Sequence, residues 1–157
     1  MPTPRRELTF RNFDEVNADV ENLRARGYSK AGNWNLAQVC GHLAMWMSFP
    51  MTGYPRTGPV MKGILWLLRN AMGKRVGRKI LAADKYPPRG QTLKGTIPPA
   101  TQDEAQAVAI LKDTIERLER HTGVMHSSPL FGRLSRADVL RLQMIHCAHH
   151  LSHLVPA

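Results

Sequence analysis

Apolar residues return along this chain at intervals of three and four, the period of a helix with one buried face. Phe13, Val16, Val20 and Leu23 mark a first helix over about 13–26, with Asp14 and Glu15 at its positive end and Gly27 as the expected stop. Leu36, Val39, Leu43 and Trp46 mark a second, starting after Asn35, whose spacing to Gln38 is that of a capping box. Pro50, Gly53, Pro55, Gly58 and Pro59 then interrupt the chain. A third helix is expected over about 60–81, apolar at first and basic later, with Gly63, Gly73 and Gly77 inside it. Each glycine weakens a helix by about 1 kcal/mol against alanine.

Residues 85–100 hold Pro87, Pro88, Pro98, Pro99, Gly90 and Gly95 and are expected to be loop. Thr101 and Glu104 have capping-box spacing and open a fourth helix running to about Arg120 on Ala105, Val108, Leu111, Ile115 and Leu118. Glu116 and Arg120 can pair across one turn of it, and Gly123 is its expected terminator. Ser135, with Asp138 three residues on, caps a last helix expected to continue to about Val155 before Pro156. Strand signals are nearly absent. The pattern predicts an all-α chain, an antiparallel four-helix bundle with an extra helical segment between helices 2 and 4, in a single domain over 1–157.

Composition adds exclusions. At 157 residues, 43% hydrophobic and 22% charged, the chain has ordinary globular composition and the length of about one domain. Cys40 and Cys147 form neither a disulfide framework nor a CxxC knuckle; a reducing cytoplasm is expected, with both cysteines as small buried hydrophobes. No secretory leader core is visible at the N-terminus, and the apolar run Ile64–Leu68 is far short of the ~20 residues that span a bilayer. The net charge of +10 is uneven: between Met61 and Gly95, nine basic residues stand against one acid, Asp84. Such a segment attracts phosphate backbones, anionic lipid or acidic ligands. No zinc finger, recognition-helix signature or stacked aromatic pattern points to specific nucleic-acid reading. GxSxG, P-loop and GxGxxG motifs are also missing.

The histidines carry the chemistry. Seven are present, and His146, His149, His150 and His153 fall within eight residues of the last helix. His146 and His150, four apart, share a helical face and can bind one divalent metal. Imidazole suits zinc, nickel, copper and iron. On a wheel of about 100° per residue, His150 lies about 80° and His146 about 120° from the centre of the core stripe Leu140, Met144, Cys147, Leu151 and Leu154. The pair therefore edges the apolar arc, next to Val139 and Leu142. His146 and His149, three apart, are an alternative pair. His42 sits on the apolar stripe of the second helix between Val39 and Trp46, where a buried polar side chain needs a partner. Three histidines with an open position make a catalytic type of site rather than a closed structural one. The bland readings stand beside this: a solvated histidine pair, a hydrogen-bonded core histidine, Trp46 and Trp66 as core, and the basic segment as a solvated face.

Three stretches, WNLAQVCGHLA, SPLFGRLSRADVLRLQ and HCAHHLSHL, resemble the DinB/YfiT-like metalloenzyme superfamily, nearest to a bacterial branch known as a domain of unknown function. The resemblance runs from about Arg5 to Leu154. It implies a four-helix bundle, often a homodimer, holding a divalent metal on three histidines, here His42, His146 and His150. It makes His149 a supporting group behind the ligands. Where many relatives continue with Arg-Gly-Gln or Arg-Gln, this chain has Leu151, Ser152 and His153.

The expected function is that of a divalent-metal-dependent enzyme, with zinc or nickel foremost. By analogy with the superfamily, a thiol-dependent transferase is preferred to a hydrolase. Its substrate would be a small molecule, anionic or itself a low-molecular-weight thiol. No residue stands out as a general base, although His149 and His153 are near, and Trp46 and Leu142 are expected to wall the pocket. The alternative is a non-catalytic stress-response or binding module that uses the basic segment on anionic membrane or nucleic acid.

Overall fold

The computed structural model of the protein describes residues 4–87 and 94–157. It is mostly helical. The elements are α1 (Phe13–Arg26), α2 (Leu36–Thr52), α3 (Pro59–Leu68), a π turn (Arg69–Gly73), α4 (Lys74–Ala83), a 3-10 turn (Lys94–Thr96), α5 (Glu104–Arg120) and α6 (Arg136–Leu151). Two short strands, β1 (Tyr28–Lys30) and β2 (Leu154–Pro156), complete the order.

Most positions of the expected stripes are in the core, but Ala105 is exposed and Leu140 and Met144 are half-buried. Val16, Val20 and Leu23 of α1, Leu36, Val39, Leu43 and Met47 of α2, Leu111, Ile115 and Leu118 of α5, and Cys147 and Leu151 of α6 form one buried cluster. α2 packs most closely on α5 and next on α6. Around Asn35 the capping box is complete: its side chain accepts from Gln38 N–H, and the Gln38 side chain accepts from Asn35 N–H. That fixes the start of α2, and with it the side chain of His42 two turns later. Ser135 caps α6 by accepting from Asp138 N–H, which fixes the start of the other histidine-bearing helix.

Several boundaries differ from the sequence reading. α5 begins at Glu104 with Asp103 as its cap, accepting from Gln106 N–H, and not with a Thr101–Glu104 box. A carboxylate two residues farther on wins, because it meets both the free N–H groups and the positive dipole end. Its C-cap is His121, two residues before Gly123. The third helical run is continuous over 59–83, with the π turn joining α3 to α4. Gly73 and Gly77 inside it serve contact rather than flexibility: a Cβ on Gly73 would lie 1.9 Å from the Leu130 carbonyl oxygen, and one on Gly77 would lie 3.3 Å from the Phe131 ring. Within the expected loop, residues 94–96 make a 3-10 turn, and residues 88–93 lie outside the described residues.

The last helix stops at Leu151, short of Val155. Leu154–Pro156 instead pairs antiparallel with Tyr28–Lys30, Ser29 opposite Val155. Ala157 N–H donates to Gly27 O, and Arg6 N–H to Ser152 O. Gly27, at φ 74°, turns the chain out of α1 so that its carbonyl and β1 meet this tail. Trp66, expected in the core, is exposed.

Candidate metal centre

His42 projects from the second turn of α2 into the core and is 1% exposed. Its Nδ1 lies 2.8 Å from the carbonyl oxygen of Thr96, in the 3-10 turn. A carbonyl can only accept, so Nδ1 carries the proton and Nε2 presents a lone pair. Nε2 lies 3.3 Å from Nε2 of His146 on α6. His150 completes the group: one ligand nitrogen from each of His42, His146 and His150 lies within 4.8 Å of the others. The three residues named from the sequence are brought together.

The donor set fits a divalent ion. Two nitrogens held at about 2.0–2.1 Å by one tetrahedral zinc stand about 3.3–3.4 Å apart, which is the separation of the His42–His146 pair. Imidazole nitrogens without a carboxylate suit the borderline transition metals rather than calcium or magnesium. The His42–Thr96 bond is the outer contact that ligating histidines commonly make through their second nitrogen. Three histidines close together can therefore hold a metal ion; which metal is not fixed by this donor set.

Aromatic rings enclose the cluster. Trp34 stacks on His150 with centroids 5.2 Å apart and planes 1° apart, and meets His42 edge-on at 5.0 Å. Trp46 lies 6.1 Å from His42 and 5.9 Å from His146, and Tyr86 lies 5.6 Å from His146. Trp46 is thus a wall of the site, as expected. Leu142 is not shown there; it packs with Ile80 and Ile145 in a second apolar cluster. Trp34 and Tyr86 were missed. Trp34 precedes the Asn35 cap, but no sequence signal places a loop tyrosine such as Tyr86 over α6.

Burial sets the electrostatics. It holds His42 below the ordinary histidine range, against the raising effect of its bond to Thr96. His146 is held well below that range by burial and then by His42 and His149. His150 is pushed far down by burial, then by His146 and His42. All three are neutral at neutral pH, the form that binds metal. The cysteines stand apart: both are free and buried, and burial raises the Cys40 thiol to about 12 and the Cys147 thiol as well. Neither is a thiolate nucleophile or ligand at neutral pH.

The His149 ring meets that of His150 edge-on at 5.0 Å but also reaches Arg5 and Tyr86. Its Nδ1 lies 3.2 Å from Nη2 of Arg5 and its ring 5.8 Å from Tyr86. A guanidinium can only donate, so Nδ1 accepts and the neutral ring keeps its proton on Nε2. Burial, then Arg5, lowers His149 to about 4. A base with this pKa and an occupied lone pair is a poor proton acceptor at neutral pH. His153, farther along, is also lowered by burial and Arg5. Beside Tyr86 and His149 opens a cavity of about 320 Å³ lined by Arg5, Lys85, Ile145 and Ser152 among others.

A family model described as a protein of unknown function, DUF1569, matches residues 3–157. The chain belongs to the DUF1569 family. No curated protein and no solved structure matches it. In this DUF1569 chain the histidine cluster is the feature with chemical content. Its two faces come from α2 and α6, the helices whose caps the sequence specifies most fully.

Proposed function

We propose that this DUF1569 protein is a divalent-metal-dependent enzyme of the DinB/YfiT-like kind. On this reading α1, α2, α5 and α6 are the four helices of the bundle, and α3–α4 is the added segment. His42, His146 and His150 hold the ion, with zinc or nickel the metals that best match imidazole ligands. The observation that carries the reading is the His42 ring: its proton is committed to Thr96, and its lone pair faces a second imidazole at 3.3 Å.

A divalent ion in this place supplies a Lewis acid that brings water or a thiol toward deprotonation at neutral pH. The chain's own residues do the rest. Trp34 holds the His150 ring by stacking, and Trp34, Trp46 and Tyr86 keep bulk water from three neutral imidazoles. The indole N–H of Trp46 is buried with no hydrogen-bond partner among the described residues, a donor available to a ligand. Arg5, Arg6 and Lys85 outnumber Glu7 and Asp84 in the lining of the adjoining cavity, a small excess of positive charge that suits an anionic small molecule or an acidic low-molecular-weight thiol. Thiol-dependent group transfer is preferred to hydrolysis through the superfamily resemblance alone.

Elemental analysis of the purified full chain tests the site. About one divalent ion per chain is expected, lost in both His42→Ala and His150→Ala. Unchanged metal content in either variant removes that residue from the site. With metal shown, turnover of a low-molecular-weight thiol with an electrophilic acceptor separates transfer from ester hydrolysis.

A further inference from the structure

The run 59–83 is two things joined end to end. Its second half is bolted to the protein: Gly73 and Gly77 lie against Leu130 and Phe131, and Ile80 packs with Leu142 and Ile145. Its first half is not. α3 has no buried residue, although it is the most apolar helix of the chain. Val60 is 77% exposed, Trp66 59% and Leu67 60%, and Met61, Ile64, Leu68 and Met72 are exposed too. Soluble surfaces rarely carry so large a contiguous apolar patch without a partner.

Charge says what that partner is. Lys62 and Arg69 lie within and just after the apolar stretch, and Lys74, Arg75, Arg78 and Lys79 follow on exposed positions. None of these six makes an ion pair among the described residues. The acid nearest to them in sequence, Asp84, is already paired with Arg141. A second copy docked through α3 would bring two such cationic runs together with no acid in either to offset them. A single protein groove would cover one stripe of a helix whose apolar side chains are exposed nearly all round. Acyl chains accept apolar groups from every side, and anionic headgroups meet the lysines and arginines at the same depth. Among the described residues no helix is long and apolar enough to cross a membrane.

We propose that α3 lies in the surface of an anionic lipid bilayer, with Trp66, Leu67 and their apolar neighbours in the acyl boundary and the basic residues of the π turn and α4 on the headgroups. This surface shares no residue with the histidine cluster, and its fate does not depend on metal chemistry.

Flotation of the full chain with vesicles tests it, using phosphatidylcholine alone and phosphatidylcholine containing phosphatidylglycerol. Binding to the anionic vesicles should be at least about tenfold tighter and should fall as salt rises. Leu67→Asp and, separately, Lys74→Glu with Arg75→Glu should each weaken it about tenfold or more while leaving the circular dichroism spectrum unchanged. Tryptophan emission should shift to the blue on binding, and Trp66→Phe should remove the shift although Trp34 and Trp46 remain. Equal binding to both vesicle types, or wild-type binding by Leu67→Asp, overturns the proposal. So does a dimer in sedimentation that Leu67→Asp dissolves, which assigns the face to a second copy. Tighter binding to duplex DNA than to the vesicles, insensitive to Leu67→Asp, assigns the basic run to nucleic acid instead.

Discussion

The Nδ1–H of His42 donates to the Thr96 carbonyl over 2.8 Å, so one peptide group from a turn fifty-four residues away decides which nitrogen of His42 faces α6. The tautomer is the first checkable consequence. Long-range nitrogen–proton correlation of the metal-free protein should show His42 protonated at Nδ1, with an unprotonated Nε2. The opposite tautomer would mean that Nε2 already holds a proton and that the ring is only a core hydrogen-bond donor.

Trp34 lies flat on His150 and edge-on to His42, so it restrains two of the three rings. Trp34→Ala should lower metal affinity by about tenfold, at the low end of what supporting groups around ligands contribute. Trp34→Phe, which keeps a stacking face, should recover most of it. Competition with a chromophoric chelator measures both. Equal affinity in all three proteins would show that the rings are held by the backbone alone.

The buried imidazoles make metal-free stability depend on pH. In the unfolded chain these histidines titrate near the usual value of about 6.5. In the folded chain His146 and His150 stay neutral well below it, and His149 stays neutral to about 4. As pH falls through about 6.5 the unfolded state takes up protons that the folded state refuses, so stability is lost toward acid. Each such group contributes a slope of up to about 1.4 kcal/mol per pH unit. Urea midpoints after chelation should drop steeply from pH 7 to pH 5. His150→Phe, similar in shape but not ionisable, should flatten the slope.

Gly73 and Gly63 occupy one helical run but should respond oppositely to alanine. A Cβ at Gly63 meets nothing within 4 Å, so Gly63→Ala should stabilise by up to about 1 kcal/mol through helix propensity. At Gly73 the same Cβ would sit 1.9 Å from the Leu130 carbonyl oxygen. Gly73→Ala should therefore destabilise by about 2 kcal/mol or more, the backbone having to move or the turn to break. Thermal unfolding of the two variants separates these outcomes by sign.

Much of this protein follows from local rules that act within a few residues. The stripe Phe13, Val16, Val20 and Leu23 predicts its helix because only one face can be buried, and Asn35 and Ser135 fix helix starts because their side chains satisfy N–H groups two or three residues away. The i,i+4 placement of His146 and His150 on one helical face is of the same kind. Tertiary structure decided what depends on a partner distant in sequence. Leu154–Pro156 became a strand because Tyr28–Lys30 offered it backbone partners, although its own apolar residues continue the helical stripe. α3 is strongly apolar yet buries nothing, since burial depends on whether another element arrives to cover it. His42 is the sharpest case. Its position on an apolar stripe predicts that it needs a partner, but the carbonyl of Thr96 and the ring of His146 become that partner only when α2, the 94–96 turn and α6 are packed together, because a hydrogen bond or a shared ion is defined by distance in space and not by spacing along the chain.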